Sequence, residues 1–217
     1  MVILVAAALA FTNGALKEKQ AKNSDMDKMT QILRSIKIEV GFDEAEEIYN
    51  KTITSVYVID SKGNVKTTDA KEAFLVSISK EVNKPVEDRS LPVYEALIDG
   101  QKKYILPVYG AGLWGPIWGY ISLNEDKKTI FAASFSHQGE TPGLGAEINT
   151  PVFQKQFENK EIIKAGTFKS IAVLKAGQSV EDMDAVDGIS GGTITSKGLE
   201  AMLQNSLGAY EAFFNSK

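Results

Sequence analysis

The sequence has 217 residues, of which 43% are hydrophobic and 24% charged, a composition typical of a globular protein and not of a disordered chain. Its 24 Lys and Arg against 28 Asp and Glu give a formal charge of −4, and the lack of a basic surplus disfavours nucleic-acid binding. The chain has no cysteine and one histidine, which excludes disulfides, thiol catalysis, cysteine-ligated metal centres and metal sites built from several histidines.

The chain begins with an apolar run from Met1 to Phe11, about half of the roughly 20 residues that a membrane-spanning helix needs. A signal-peptide core is one alternative, but no basic residue precedes the run. A buried strand or helix is another, but the first segment of a chain seldom runs eleven residues without a polar one. The residues from Lys17 to Lys22 then turn abruptly polar, as at a membrane exit. We expect residues 1–12 to be part of a transmembrane helix whose beginning lies before the first residue of the sequence.

The next part of the chain has helical periodicity. Between residues 15 and 38, apolar residues recur at spacings of three and four: Met26, Met29, Ile32, Leu33 and Ile36. This pattern predicts a stalk or an amphipathic helix that packs on the body of the protein. A second short helix is predicted over residues 43–50, so residues 13–50 are assigned to a helical linker.

The rest of the chain, residues 51–217, is predicted to be one domain of mixed structure. Strands are predicted at residues 55–59, from 65, 103–109, 117–123, 129–135 and 170–174, with polar turns at 61–64 and 124–127. Residues 91–97 give no clear signal. A helix is predicted over residues 150–162, and the final helix has one apolar face formed by Leu199, Met202, Leu203, Leu207, Tyr210, Phe213 and Phe214. This order predicts an α+β fold with a mostly antiparallel sheet and flanking helices.

Residues Gly110 to Gly115 spell the pattern G-x-G-x-x-G, which in other proteins marks a dinucleotide-binding turn. That turn must open a helix whose amino terminus receives the pyrophosphate. Here Pro116 and a predicted strand follow, so the dinucleotide interpretation is rejected. The sequence also has no phosphate-binding lysine after a suitable glycine spacing, no EF-hand pattern and no G-x-S-x-G nucleophile elbow.

The segment best suited to chemistry, residues 187–197 (DGISGGTITSK), directly precedes the final helix. A helix amino terminus presents unpaired amides and a partial positive charge, which favour an anion. The segment adds three glycines that permit close approach, four hydroxyls and one cation: Gly188, Gly191, Gly192, Ser190, Thr193, Thr195, Ser196 and Lys197. The alternative interpretation is an ordinary capped helix after a flexible loop.

Two further stretches combine glycines with bulky apolar residues. Residues 137–145 (HQGETPGLG) leave a predicted strand, and either form a tight loop or press Leu144 and backbone amides against a flat ligand. Residues 110–120 (GAGLWGPIWGY) carry Trp114 and Trp118, which either join the core or stack on a planar ligand. Asp184 and Asp187 are interpreted as turn and cap residues and not as metal ligands. The simplest interpretation of His137 is an ordinary loop residue, and the alternative is a residue that orders the loop or the surroundings of a bound ligand.

Taken in this order, the three stretches resemble the FMN-binding domain family shared by the NqrC subunits of sodium-translocating NADH:quinone reductases and the RnfG subunits of Rnf electron-transport complexes. The resemblance covers essentially the whole chain. Four residues fall on the family's flavinylation signature, with glycine where the family usually has alanine at the third: Asp187, Ser190, Gly192 and Thr193. Residues 140–145 (ETPGLG) match the family's second signature. The stretch from Leu113 to Gly119 and the long helix before the sheet favour the NqrC branch.

The resemblance implies an electron carrier whose FMN is joined through its phosphate to the hydroxyl of Thr193, as a phosphoester that a flavin transferase installs from FAD. It implies no catalytic residue and no metal on this chain, which is an enzyme only as part of an NADH:ubiquinone reductase complex. Residues expected at the phosphate are Ser190, Gly191, Gly192, Thr195 and Lys197, and those expected at the flavin ring or its ribityl chain are Glu140, Thr141, Gly143, Leu144, Gly145 and Trp114.

The implied partners are the other subunits of the membrane complex, the flavin transferase and, through the amino-terminal helix, the membrane, but no nucleic acid. The implied location is the bacterial inner membrane, with a single pass and the flavin domain on the external side. Two alternatives stay open. One is an RnfG-type flavoprotein of the Rnf complex, and the other is an unflavinylated, membrane-anchored binding module.

Overall fold

The computed structural model describes residues 2–216. Its helices are α1 Val2–Arg34, α2 Ala45–Thr52, α3 Ala70–Leu75, α4 Ile78–Glu81, α5 Pro151–Gln154, α6 Thr193–Gly208 and α7 Glu211–Phe214. Short 3-10 helices lie at Phe42–Glu44, Val86–Asp88, Gly145–Asn149 and Lys155–Phe157. Its strands are β1 Ile53–Ile59, β2 Val65–Thr67, β3 Leu91–Ile98, β4 Gln101–Ala111, β5 Pro116–Leu123, β6 Ile130–His137, β7 Ile163–Lys164, β8 Thr167–Phe168, β9 Ile171–Leu174 and β10 Asp184–Asp187.

The centre of the molecule is a six-stranded antiparallel sheet with strand order β2-β1-β3-β4-β5-β6. This arrangement confirms the predicted α+β fold with a mostly antiparallel sheet. The segment without a clear sequence signal is the central strand β3, which pairs with β1 and β4. Its consecutive residues Val93 and Tyr94 are both fully buried, because helices cover both faces of the sheet. The alternation that marks a half-exposed strand is therefore missing.

Helices on both faces of the sheet divide the core into two clusters. On one face α6 packs its apolar side, including Leu203, against Leu106 of β4. On the other face α1 packs Leu33 near Ile105, the neighbouring residue of the same strand. Successive side chains of a strand point to opposite faces, so β4 contributes to both clusters in alternation.

The second half of α1 belongs to this core. Three of its apolar residues are buried, Met26, Ile32 and Leu33, and so is Ile36, which lies in the turn directly after the end of the helix at Arg34. Near the start of the helix, Val2 and Phe11 are 83% and 79% exposed. Within residues 2–216, no helix has both the length and the apolar content that crossing a membrane requires. The assignment of residues 1–12 to a partial transmembrane helix stays a prediction, and Met1 lies outside the described residues.

The helix expected over residues 150–162 is wrong in its extent. Only the four residues of α5 are α-helical, one 3-10 turn follows, and Asn159 then adopts a positive φ of 61°. The chain turns there to pair with β6, and the amide of Asn159 donates to the carbonyl of Ile130 (2.9 Å). The buried pair Phe153 and Phe157, four residues apart, produced the helical pattern.

The final helix is divided into two elements. α6 ends at Gly208 and α7 begins at Glu211. At the break, Tyr210 is 1% exposed and its hydroxyl donates to the carbonyl of Pro92 (2.9 Å). All residues of the predicted apolar face are buried, so the pattern was correct although the helix is interrupted.

Candidate functional site

Three loops that are far apart in the sequence meet at the amino terminus of α6. The first joins β4 to β5, the second follows β6 and the third follows β10. The first is a hairpin loop in which the amide of Gly112 donates to the carbonyl of Gly115 (2.8 Å), so no helix follows the G-x-G-x-x-G pattern and its rejection is confirmed. The loops line a cleft of about 240 Å³ formed by Leu113, Trp114, Glu140, Thr141, Leu144, Gly145, Gly191, Gly192, Thr193, Ile194 and Thr195.

Glu140 holds the three loops together. Its side chain is buried, and Oε1 accepts a hydrogen bond from the amide of Trp114 (2.8 Å) while Oε2 accepts one from the hydroxyl of Thr195 (2.5 Å). The amide of Glu140 in turn donates to Nδ1 of His137 (3.2 Å), which supports the loop-ordering interpretation of that histidine. Hydrogen bonds to a charged acceptor are about twice as strong as neutral ones. The polar groups of Glu140 and Thr195 are therefore used to position the loops.

Glycines surround this carboxylate because no other residue fits beside it. A Cβ atom at Gly112 would lie 2.5 Å from Oε1 of Glu140. A Cβ atom at Gly145 would overlap Oε2 of the same carboxylate and lie 2.5 Å from Oγ1 of Thr195. Position 143 favours glycine for a different reason, since its φ of 74° lies in the left-handed region. The amide of Gly143 donates to Oε1 of Glu147 (3.0 Å).

Thr193 is the first residue of α6 and is exposed to solvent. Its N-cap residue is Gly192, which offers no side chain to the helix. Within residues 2–216, the amides of Thr193, Ile194 and Thr195 have no acceptor, and the first bond of the turn runs from the amide of Ser196 to the carbonyl of Gly192 (2.9 Å). Unpaired amides and the helix dipole together favour a negatively charged group at this point.

Four apolar side chains line the cleft although they face solvent. The exposed fraction is 47% for Leu113, 67% for Trp114, 41% for Leu144 and 59% for Ile194. Leu144 lies against Gly191, where φ is 75° and a Cβ atom would be 2.7 Å from Cδ2 of that leucine. A contiguous exposed apolar surface marks a binding site, and side chains of this kind suit a flat aromatic ligand.

A second cleft, of about 340 Å³, lies beside the first. Thr193 and Gly191 line both clefts. The second one contains two cations, Lys175 and Lys197, and the exposed residue Ser190. Thr193 therefore stands between an apolar cleft and a cationic one.

Other residues singled out in the sequence lie elsewhere or have structural roles. Trp118 lies on the α1 side of the sheet, where its Nε1 donates to Oε1 of Gln31 (2.9 Å). Asp184 pairs with Lys164 (3.1 Å), and Asp187 accepts an amide hydrogen bond from the loop between β9 and β10 (3.2 Å). In the part of the chain that the structure describes, no three acidic or histidine side chains are grouped so that they could hold a metal ion.

Sequence reasoning missed several residues of the two clefts. Leu113 and Ile194 are the sequence neighbours of Trp114 and Thr193, and this adjacency could have indicated that they line the same cleft. Lys175 gave no such signal. It joins the site because β9 and β10 pair in parallel, and that pairing is a tertiary contact.

The structure also accounts for glycine at position 192. Its φ of −105° is available to any residue, so the backbone does not demand glycine. A Cβ atom there would lie 3.0 Å from Cγ2 of Ile189 and 3.4 Å from the amide nitrogen of Gly145. An alanine at this position would therefore require Ile189 to move by a few tenths of an ångström.

The comparisons with known proteins agree with this geometry. Residues 112–208 match the family described as FMN-binding domain, and this span contains all three loops together with α6. The fold and the site therefore belong to the class of FMN-binding domains.

Relatives and solved structures narrow the class further. The NqrC subunit of the Na(+)-translocating NADH-quinone reductase of Vibrio alginolyticus is 30% identical over 200 residues, which cover 85% of this chain and 78% of that protein. The crystal structure of the same subunit from Parabacteroides distasonis ATCC 8503 is 50% identical, with a TM-score of 0.87, and the match covers 93% of this chain and 98% of that one. The Shewanella oneidensis NqrC structure, 23% identical with a TM-score of 0.72, shares the fold. This chain belongs to the NqrC family of Na(+)-translocating NADH-quinone reductase subunits, which confirms the resemblance and the choice of branch.

Proposed function

We propose that this chain is the flavin-carrying electron-transfer subunit of a membrane-bound Na+-translocating NADH–quinone reductase, with FMN esterified through its phosphate to Oγ1 of Thr193. Membership of the family supports the first part, because the relatives are named as the NqrC subunit of that reductase. The match of residues 112–208 to FMN-binding domains supports the cofactor.

One observation carries the assignment of the attachment site. The exposed Thr193 stands at the start of α6 between an apolar cleft and a cationic one. A tethered FMN has two matching parts, a flat aromatic ring system and an anionic phosphodiester. The residues present therefore fit the group at both ends.

The phosphate end is the simpler part. A phosphodiester keeps one negative charge, and the unpaired amides of Thr193, Ile194 and Thr195 stabilise it together with the positive end of the helix dipole. Lys197 adds a cation to the same cleft, and Ser190 adds a hydroxyl donor. Thr195 acts through its amide only, since its hydroxyl donates to Glu140.

At the ring end, Leu113, Trp114, Leu144 and Ile194 offer apolar surface that a flat ligand would remove from water. The clamp formed by Glu140 fixes the loops that carry this surface, and prior ordering lowers the entropy cost of binding. When bound, FMN supplies reversible electron transfer, and the protein sets its position and surroundings.

The attachment step needs a second protein. The bond from Oγ1 of Thr193 to phosphorus forms, the pyrophosphate bond of FAD breaks and adenylate leaves. Among the described residues, no carboxylate or imidazole is hydrogen-bonded to the hydroxyl of Thr193. The base that takes the hydroxyl proton is therefore assigned to the flavin transferase.

Electrons would pass between this flavin and the neighbouring subunits of the complex. The exposed apolar residues at the start of α1 support attachment to the membrane through that helix. We place the complex in the bacterial inner membrane, with a single pass for this chain and the flavin domain on the external side.

Co-expression with a flavin transferase tests the proposal. The intact mass of the wild-type protein should exceed that of the bare polypeptide by FMN less one water, and a denaturing gel should show a fluorescent band. Thr193→Ala should have the bare mass. The matched control Thr167→Ala removes the hydroxyl of an exposed threonine on β8, outside both clefts, and should keep the adduct.

Two results would overturn parts of this account. A covalent flavin on Thr193→Ala would mean that the attachment site is another residue. A wild-type chain without flavin beside an active transferase would favour the unflavinylated binding module.

A further inference from the structure

We propose that Lys175 is a second cationic partner of the phosphate on Thr193, and that it supplies the net positive charge of the cationic cleft. This inference rests on the proposed function and adds a residue that neither the family signatures nor the helix terminus indicates. The ligand group is a phosphate monoanion in a diester, held on the side of Thr193 opposite the apolar cleft.

The topology brings Lys175 to the site. β9 and β10 pair in parallel, with Leu174 beside Asp187 at the last position. Parallel strands leave the sheet at the same end, so the residue after β9 lies next to the loop after β10. The amide of Gly188 donates to the carbonyl of Leu174 (2.6 Å), which fastens the two exits together. Lys175 and Thr193 consequently line one cleft.

The other lysine of the cleft, Lys197, already has its charge partly balanced by a carboxylate. Nζ of Lys197 pairs with Oε1 of Glu200 (3.0 Å), and Oε2 of the same carboxylate accepts the amide of Val173 (2.6 Å). Glu200 therefore fixes Lys197 beside β9 but balances its charge. An anion in the cleft meets a lysine–glutamate pair at this position, which carries no net charge.

Lys175 differs from Lys197 in this respect. Among residues 2–216, no carboxylate lies within ion-pair distance of its amino group. It is exposed, so its side chain is free to turn toward the phosphate. Without a phosphate, this exposed lysine makes no ion pair among the described residues, so its charge contributes little to stability. The tethered phosphate converts it into a charge-assisted contact.

The experiment compares flavinylated and unflavinylated protein, made with and without the transferase, for the wild type and three variants. The variants are Lys175→Gln, Lys175→Arg and the matched control Lys80→Gln, which removes an exposed lysine of α4 that does not line the cleft. The measurement is the increase in melting temperature that flavinylation produces, at low salt and at about 1 M salt.

We expect Lys175→Gln to lose about 1–4 °C of that increase at low salt, the range that follows for one exposed charge contact in a protein of this size. Lys175→Arg and Lys80→Gln should keep the wild-type increase. The deficit of Lys175→Gln should shrink at about 1 M salt, where charges are screened beyond roughly 3 Å. The unflavinylated forms of the wild type and the two Lys175 variants should melt alike, which a merely structural role of Lys175 would not allow.

An equal increase in the wild type and Lys175→Gln would overturn the inference while the proposed function stands, since both proteins would carry the adduct. A deficit that is already present in unflavinylated Lys175→Gln would also overturn it. Failure of the proposed function has a different signature, because the wild type would then carry no adduct on Thr193 in intact-mass spectra.

Discussion

Replacing Glu140 tests whether one carboxylate organises the flavin site. Its oxygens accept hydrogen bonds from the amide of Trp114 (2.8 Å) and the hydroxyl of Thr195 (2.5 Å), and its side chain is 5% exposed. Glu140→Ala removes both acceptors and leaves the amide of Trp114 and the hydroxyl of Thr195 without their partner. Hydrogen bonds to charged groups contribute about 1.5–3 kcal/mol each.

The net cost is smaller than the sum of the two bonds, because the alanine variant no longer has to bury a carboxylate. We expect Glu140→Ala to lower the free energy of unfolding by about 3 kcal/mol, or the melting temperature by roughly 6–12 °C. Glu140→Gln keeps the shape and one acceptor, and the hydroxyl of Thr195 can turn to accept from the new amide. Its loss should be about 1 kcal/mol.

Denaturant unfolding of the unflavinylated protein measures these differences as shifts in midpoint at constant slope. The matched control is Glu147→Gln, which weakens an exposed contact to the amide of Gly143 in the same loop and should change stability by less than about 0.5 kcal/mol. If Glu140→Ala unfolded at the wild-type midpoint, the clamp would contribute nothing and the argument for ordered loops would fail. Equal losses for the Gln and Ala variants would show that the hydrogen bonds are not the cause.

Two further predictions concern packing and protonation. Gly145→Ala should destabilise the protein by more than about 2 kcal/mol, because the new Cβ overlaps Oε2 of Glu140, whereas Gly139→Ala should be nearly neutral, since its nearest neighbour is 3.9 Å away. Similar midpoints for both alanine variants would contradict this. Burial lowers the pKa of Lys28, whose Nζ contacts Phe74, from 10.5 to about 8, so the unfolded chain binds more protons in this range and stability should rise as pH increases from 8 to 9.5. Lys28→Met should lack this rise, and parallel pH profiles of the two proteins would refute it.

Strands β1, β4, β5 and β6 were predicted correctly because β-branched and aromatic residues are concentrated in them between turn residues. Helices α1 and α6 were predicted correctly because their apolar residues recur at the helical period. The central strand β3 gave no clear signal because it contains Pro92, Glu95 and Ala96, which are disfavoured in strands, and because burial of both faces removes the alternation of apolar and polar residues. The helix over residues 150–162 was overextended because Phe153 and Phe157 have helical spacing, whereas the following residues pair with β6.

At the site, the identity of the loops followed from short stretches of residues, and the structure brings all three of them together at α6. The sequence did not show which residues of these loops contact the ligand and which hold the loops together. Thr195 was expected at the phosphate, but its hydroxyl is turned inward to Glu140. A hydroxyl has no preferred partner until the fold brings one within reach, so sequence alone cannot tell a ligand contact from a clamp.

By itself, the sequence determined the fold class, the family and the threonine at the start of the last helix, because periodicity and glycine spacing are properties of neighbouring residues. Only the tertiary structure decided that Glu140 joins three loops and that Lys175 enters the cationic cleft. Both depend on contacts between residues that lie 13 or more positions apart in the sequence, and such contacts are set by the packing of the whole chain.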